Sequence, residues 1–324
     1  MDVIILLVST INTASIWIIR MVHIAVFERD FHKLAVQVGH DFAEFLTWQD
    51  VPVIRAKCRR VRRFTLGVVW FGVSACSYFL VSPVSPEGLP FILALPYDAT
   101  TPLGFAVSWL FCAVTCLYTV MITMALDALN VTLITQLRIQ LTLLSRKIVD
   151  LAKGTSEKTA DPNGEIHSRL KKCIRHHQTI IRNADLLEST LGAMLLGQSI
   201  SIGASTCFQM FQLATTSNGL KQVGKSVCYL CEMFSELFVY CWFGDDLITE
   251  SQKVAVAVYD AVPSLQECPL PIKRSLMLLM NRAQRPLSIT ARGFFPLCRE
   301  SFVSVANVSY SFFALLRNFR KDDE

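Results

Sequence analysis

The chain has 324 residues, of which 52% are hydrophobic and only 18% charged. A soluble domain carries about 25% charged residues, so the balance is that of a membrane protein. The net charge of +5 could suggest nucleic acid, but the basic residues lie in loops beside apolar runs, which points to anionic lipid instead and excludes nucleic acid as a partner.

In chain order, Val3 to Ile19 is the first apolar run. It has no basic stretch before it and no small-residue cleavage site after it, so it reads as a span and not as a signal peptide. Glu28 to Val51 continues as an amphipathic helix, with Phe31, Leu34, Ala35, Val38, Phe42, Phe45 and Leu46 at three- and four-residue steps. A second run, Phe64 to Val81, leads into Ser82 to Pro102, where five of the twelve prolines predict an ordered, non-helical loop. The third run, Leu103 to Leu126, passes without a breaker into Asp127 to Leu151, so this helix projects beyond the bilayer. Gly154 to Gly164 is the one plainly flexible linker. Helix resumes over Glu165 to Leu187 and meets the fourth run, Leu191 to Ala214. The fifth run is Val227 to Gly244. Ser251 to Arg292 forms a further helical unit broken by Pro263, Pro269 and Pro271, and Phe294 to Leu316 closes the series.

Each run is long enough to cross a hydrocarbon core at about 1.5 Å per residue. Lys and Arg alternate between them. Arg29, Lys33, Arg55, Lys57, Arg59, Arg60, Arg62 and Arg63 lie in the first connection, none in the second, and ten from Arg138 to Arg182 in the third. Only Lys221 and Lys225 lie in the fourth, whereas Lys253, Lys273, Arg274, Arg282, Arg285 and Arg292 lie in the fifth. Basic residues remain cytosolic because moving them across the bilayer is unfavourable. The first, third and fifth connections are therefore expected inside and the C-terminus outside. The resulting fold class is all-α: a single polytopic helical membrane domain over 1–324. Its spans fall near 3–27, 64–82, 103–135, 187–214, 226–246 and 293–317, with cytosolic helical parts at 28–63, 136–186 and 247–292. The apolar faces of those cytosolic parts need cover, so they are expected to pack on one another.

Little in the chain points to an enzyme, a metal or a cofactor. Of eleven cysteines, most lie inside apolar runs, and Cys228 and Cys231 have no second ligand pair nearby, so they read as packing residues. His176 and His177 are neighbours on a helix and point about 100° apart, which suits a wet helical face. Glu232 and Glu236 share one side of a helix and mark either a polar pocket wall or an interhelical hydrogen-bonded pair. No nucleophile elbow or phosphate loop accompanies them. Asn130-Val-Thr132 and Asn307-Val-Ser309 match the glycosylation pattern. The first falls on the inner side and the second inside a span, so neither is expected to carry glycan.

The last stretch is the most specific. Pro286-Leu287-Ser288 precedes Gly293-Phe294-Phe295-Pro296-Leu297, and the end reads Ser309-Tyr310-Ser311-Phe312-Phe313-Ala314-Leu315-Leu316-Arg317. Upstream stands Tyr240-Cys241-Trp242-Phe243-Gly244-Asp245-Asp246-Leu247, followed by Glu250-Ser251; a weaker match is Leu95-Pro96-Tyr97-Asp98. These motifs resemble those of the insect odorant receptor family, and the resemblance covers nearly the whole chain. Gustatory receptors, the closest rival, end in a different pattern. A G-protein-coupled receptor would place its C-terminus inside. The family has seven spans, an internal N-terminus and an external C-terminus; six spans are expected here, with Val3 to Ile19 matching the family's second.

The resemblance implies an odorant-tuning subunit in the plasma membrane of olfactory sensory neurons. It would form a heterotetramer with a conserved co-receptor, gate a non-selective cation channel and bind a small volatile odorant. It implies a pore wall on the final span, with Ser309, Phe313, Ala314, Arg317 and Asn318 as candidates. Arg317 either stands at the pore mouth or reaches to the outer interface. Arg299 and Glu300 either line the conduction path or form a packed polar cluster at the inner interface. Serines 301, 304, 309 and 311 are expected to give this span one polar stripe. The odorant site is expected in the outer half of the bundle, with Ile11, Ser74, Tyr78, Trp109, Cys112, Tyr229 and Met233 as candidates; an apolar pocket with one or two hydroxyls suits such a ligand.

Overall fold

The computed structural model describes residues 2–82, 88–90, 97, 101–151, 161–215 and 220–322. Its helices are α1 (Asp2–Ala43), α2 (Val51–Val81), α3 (Pro102–Val149), α4 (Pro162–Thr215), α5 (Leu220–Ala261), α6 (Leu270–Ala283) and α7 (Arg299–Asp322). Four of the described helical stretches, Trp48–Val81, Pro102–Val149, Pro162–Ala214 and Val223–Ala261, are long and apolar enough to cross a membrane. With α1 and α7 they account for the six runs in the sequence, and the chain is a multi-pass membrane protein.

The helix ends follow local chemistry. Thr101 caps α3 by accepting a hydrogen bond from the Gly104 amide at 3.1 Å, and Pro102 fills the first helical position. Asp161 does the same for α4, accepting from the Gly164 amide at 2.9 Å. Hence Pro162 to Gly164 belong to the helix and not to the expected linker. The rest of that linker lies outside the described residues, apart from Asp161, as does most of the expected loop from Ser82 to Pro102. A second boundary also moved. The amphipathic helix expected to reach Val51 stops at Ala43, and a short 3-10 turn spans Trp48–Asp50. There the Asp50 carboxylate accepts hydrogen bonds from the Thr47 amide and hydroxyl, which turns the chain into α2. Phe45 is thereby folded inward.

The core lies at the end of the bundle that carries the basic segments. Leu34, Ile134, Leu141, Leu144, Ile148, Ile180, Leu191, Leu247, Val254, Val258 and Ala261 are all fully buried in one cluster. The other half presents Trp70, Leu103, Leu110, Phe111 and Tyr118 at its surface. Apolar side chains facing outward are stable there because lipid replaces water as the solvent. The helical extensions thus form a packed base from which the spans continue.

His176 and His177 corrected the expectation of a wet face: both are buried. α4 is covered on several sides at this level, so adjacent residues both meet protein. His176 shares a hydrogen bond of 2.9 Å with the Gln140 side chain and stacks on Phe45 at 4.4 Å between ring centres. Burial pushes the imidazole of His176 down from its ordinary 6.5 to about 3, helped by the Lys147 charge. Burial also takes His177 to about 4. The folded chain therefore holds both rings neutral while the unfolded chain binds protons below about 6.5. Stability from these sites is complete above that pH and is lost as pH falls toward about 4 and then about 3. We expect the purified receptor to melt at lower temperature at pH 5.5 than at pH 7.5, with His176→Gln flattening the slope. A wild-type melting temperature equal at the two pH values would contradict this.

Candidate functional site

The sequence motif near the end of α5 is a junction of three helices. Tyr240 donates its hydroxyl to Asp127 Oδ1 of α3 at 2.6 Å and accepts from Asn130 Nδ2 at 3.0 Å. Cys241 is buried beneath α7, in a cluster with Ile202, Leu237, Phe302 and Val305. A Cβ on Gly244 would stand 2.3 Å from the Leu297 carbonyl oxygen, so the motif glycine is where α5 touches the backbone leading into α7. Asp246 pairs with Arg138 of α3 and, at 3.7 Å, with Arg299 at the start of α7. Arg299 also reaches Asp245 at 3.1 Å and lies 4.2 Å from the Trp242 ring centre. Arg299 is thus ion-paired to α5 while its side chain stays half exposed. Ser251 accepts from the buried Leu287 amide at 2.9 Å, which ties α5 to the Pro286-Leu287-Ser288 step.

Glu250 lies one turn further. Thr142 donates to it at 2.7 Å and Lys253 at 3.0 Å, with Lys57 at 4.0 Å. Burial alone would raise its carboxyl, but these hydrogen bonds and charges outweigh that and hold it below the ordinary range. Between α6 and α7, Ile289 and Leu297 pair through backbone at 2.8 Å around the single described β-bridge, Thr290 to Pro296. Arg292 and Gly293 carry the positive φ angles that close this turn.

A second polar group joins four helices within the membrane. Arg20 of α1 is paired with Glu236 of α5 and lies 3.8 Å from Asp127 of α3. Gln198 of α4 donates to Glu236 at 2.7 Å. Glu236 is therefore an interhelical partner, as one of the two sequence readings had it. Its counter-ion was not identified from the sequence: Arg20 falls inside the expected span 3–27, but nothing there pairs it with Glu236. Asn130, the first glycosylation match, is buried against Tyr240.

The residues expected in the pore wall divide between faces of α7. Ser309 is buried, with its hydroxyl 3.6 Å from where a Gly203 Cβ would stand on α4. Phe313 and Ala314 are half-buried, and Arg317 and Asn318 are exposed. Ser301 is buried too. In contrast, Glu300, Ser304, Asn307, Ser311 and Asn318 are all exposed. At 100° per residue they fall within a sector about 60° wide, and Ser309 lies about 180° from its middle. Counting serines in the sequence merged two opposite faces, and the periodicity of Glu300, Asn307 and Asn318 was the signal that could have separated them.

The expected odorant residues do not converge as one set. Ile11, Ser74, Tyr78 and Trp109 are exposed, Cys112 is buried, and Tyr229 and Met233 are half-buried. Met233 packs against the Ile202, Leu237 and Cys241 cluster. Three others lie on helices that meet at the end of the bundle away from the basic segments. The Tyr78 hydroxyl stands 2.3 Å from the site a Gly224 Cβ would take, and Lys225 Nζ lies 5.3 Å from the Phe79 ring centre. Cys76 and Cys116 bring α2 to α3 with sulfurs 3.1 Å apart. Cys112 is one turn before Cys116, and Tyr229 one turn after Lys225. None of the eleven cysteines forms a disulfide, and no His, Cys, Asp or Glu cluster that could hold a metal occurs among the described residues.

The family model described as 7tm Odorant receptor matches residues 2–310. Odorant receptor Or2 of Anopheles gambiae is 27% identical over 315 residues, covering 93% of this chain and 80% of that protein. Odorant receptor 13a of Drosophila melanogaster is 25% identical over 330 residues, covering 94% and 78%. The solved structure of the insect olfactory receptor OR5 from Machilis hrabei in complex with eugenol superposes with a TM-score of 0.82 at 18% identity, covering 97% of this chain and 81% of that one. At that identity the likeness establishes the fold.

Proposed function

The chain belongs to the 7tm odorant receptor family, a family of receptors and not enzymes, and we propose that it is the odorant-tuning subunit of a ligand-gated cation channel. The observation that carries this is the exposed polar sector of α7. Glu300, Ser304, Asn307, Ser311 and Asn318 face away from the rest of the chain. Polar groups turned toward lipid are costly. Several copies arranged about an axis would turn these sectors toward shared water, with Leu315 between Ser311 and Asn318 as an apolar constriction. Four subunits, including a conserved co-receptor, would close such a ring in the plasma membrane of a sensory neuron. The C-terminus would then be extracellular and the packed base cytosolic, with 1–324 acting as one domain.

A small volatile odorant would bind where α2, α3 and α5 meet at their outer ends, near Tyr78, Cys112 and Tyr229. The Machilis hrabei structure contains eugenol, a ligand of this size and apolar character. Odorant contact there would shift α5. The Gly244, Asp245 and Asp246 junction would pass that shift to the base of α7, because the two helices touch there through backbone and through Arg299.

Co-expression with the co-receptor, with currents recorded against an odorant panel, tests the reading. Asn307→Leu and Ser311→Leu should reduce odorant-evoked current several-fold or shift the reversal potential at unchanged surface expression. Wild-type currents and reversal potentials from both would sink the pore assignment. A tag at Glu324 inaccessible on intact cells would sink the orientation.

A further inference from the structure

At the basic end of the bundle, α2 and α3 form an open cleft of about 260 Å3 lined by Cys58, Val61, Arg62, Thr65, Leu66, Thr132, Thr135 and Gln136. We propose that this cleft holds the headgroup end of one anionic phospholipid. The phosphate would sit on Arg62, a hydrogen bond would come from the Thr135 hydroxyl, and an acyl chain would run along Leu66 toward the span.

Three observations point to that occupant. First, the position matches. Arg62 stands just before the apolar run that starts at Phe64, so the cleft sits where headgroups meet hydrocarbon. Second, the charge is uncompensated. α2 has Arg55, Lys57, Arg59, Arg60, Arg62 and Arg63 in its first half and no acidic residue anywhere along its length. Among the described residues, Lys57 alone of these six is paired with a carboxylate, Glu250. Arg62 is exposed and presents a planar fork that matches a phosphate. Third, Thr135 has an unmet need. It is only 4% exposed, and its hydroxyl has no hydrogen-bond partner. Thr132, on the same wall of the cleft, bonds back to its own helix by donating to the Ala128 carbonyl at 2.7 Å. A buried hydroxyl left unpaired is unfavourable. A phosphate or ester oxygen in the cleft would accept from it, while Val61 and Leu66 supply apolar wall. The cleft is distinct from the proposed odorant site at the other end of these helices. The proposal rests on the basic end facing the anionic leaflet and not on channel activity.

The test uses the full chain in complex with its co-receptor, reconstituted in vesicles of phosphatidylcholine with a minority of phosphatidylserine. Native mass spectrometry after extraction reads the retained lipid. The wild type should keep phosphatidylserine in preference to phosphatidylcholine. Arg62→Gln should lower that retention about fivefold, the factor that corresponds to about 1 kcal/mol for one Arg near an anionic surface. Thr135→Val, nearly equal in shape, should lower it in the same direction while raising, or at least not lowering, the melting temperature in lipid-free detergent. Arg60→Gln removes the same charge outside the cleft and should leave retention near wild type. Equal retention of both lipids would overturn the proposal. So would an equal loss in Arg60→Gln, which would mean diffuse attraction to the surface. Competition by soluble glycerophosphoserine as strong as by the whole lipid would reassign the cleft to a free phosphate ester. Displacement by an active odorant would reassign it to that ligand.

Discussion

Arg20→Leu should leave little folded receptor, and Arg20→Leu combined with Glu236→Leu should recover much of it. The reason is the setting of the charges. Arg20 is buried within the spans, paired with Glu236, and 3.8 Å from Asp127. Removing the guanidinium leaves two carboxylates with no cation beside them in a low-dielectric region. Breaking a buried pair from one side costs about 3–5 kcal/mol, against a total stability of about 5–15 kcal/mol for a typical domain. The double change removes one of the two carboxylates left by the first. Asp127 would retain the Tyr240 hydroxyl at 2.6 Å, and Gln198 would lose its acceptor at 2.7 Å, which limits the recovery. The monodisperse fraction after detergent extraction and its melting temperature measure both steps. A stable single variant, or a double variant no better than the single, would show that the pair does not hold these helices together.

This group shows where sequence reading stops. The apolar runs and the alternation of Lys and Arg are periodic signals along the chain, so the helices, their order and the projecting extensions could be read directly. Glu236 was conspicuous because a carboxylate inside a span is costly. Its partner, Arg20, lies inside the expected first span on a helix from the far end of the chain, and nothing local pairs the two. The same limit explains His176 and His177. One helix taken alone suggested a wet face, but Phe45 folds back over His176 only because Thr47 and Asp50 turn the chain between α1 and α2. On α7 the information was present. The 100° step separates Ser309 from Ser304 and Ser311, and the error came from treating hydroxyl content as a face. The family motifs were legible as patterns before their physical causes were. Tyr240 holds Asp127, Ser251 holds the Leu287 amide, and the Asp245 and Asp246 pair holds Arg299. Each is a contact between distant segments, which explains why the motif is a string of unlike residues and not a periodic stripe.

Gly244→Ala tests whether that junction is a mechanical link. The added methyl would lie 2.3 Å from the Leu297 carbonyl oxygen, 2.8 Å from its Cβ and 3.1 Å from its carbonyl carbon. Two of these neighbours are backbone atoms, and the Leu297 amide is itself held to Ile289 at 2.8 Å. The turn before α7 therefore has little room to yield, and α5 or α7 must move. Overpacking of this kind costs about 1–3 kcal/mol, so the melting temperature should drop. The larger effect should be on gating, because the displaced segment sets where α7 begins and hence where its polar sector points. Gly224→Ala provides the contrast. The three atoms nearest its methyl would all belong to the Tyr78 side chain, the closest being the hydroxyl, the far end of a side chain that can rotate away. We expect Gly244→Ala to reduce odorant-evoked current more than tenfold at matched surface expression, and Gly224→Ala to alter odorant sensitivity while leaving maximal current in place. If Gly244→Ala conducts like wild type, α5 does not drive α7 through this contact. If Gly224→Ala abolishes current as fully as Gly244→Ala, the loss reflects general disruption of α5 and not the link at its inner end.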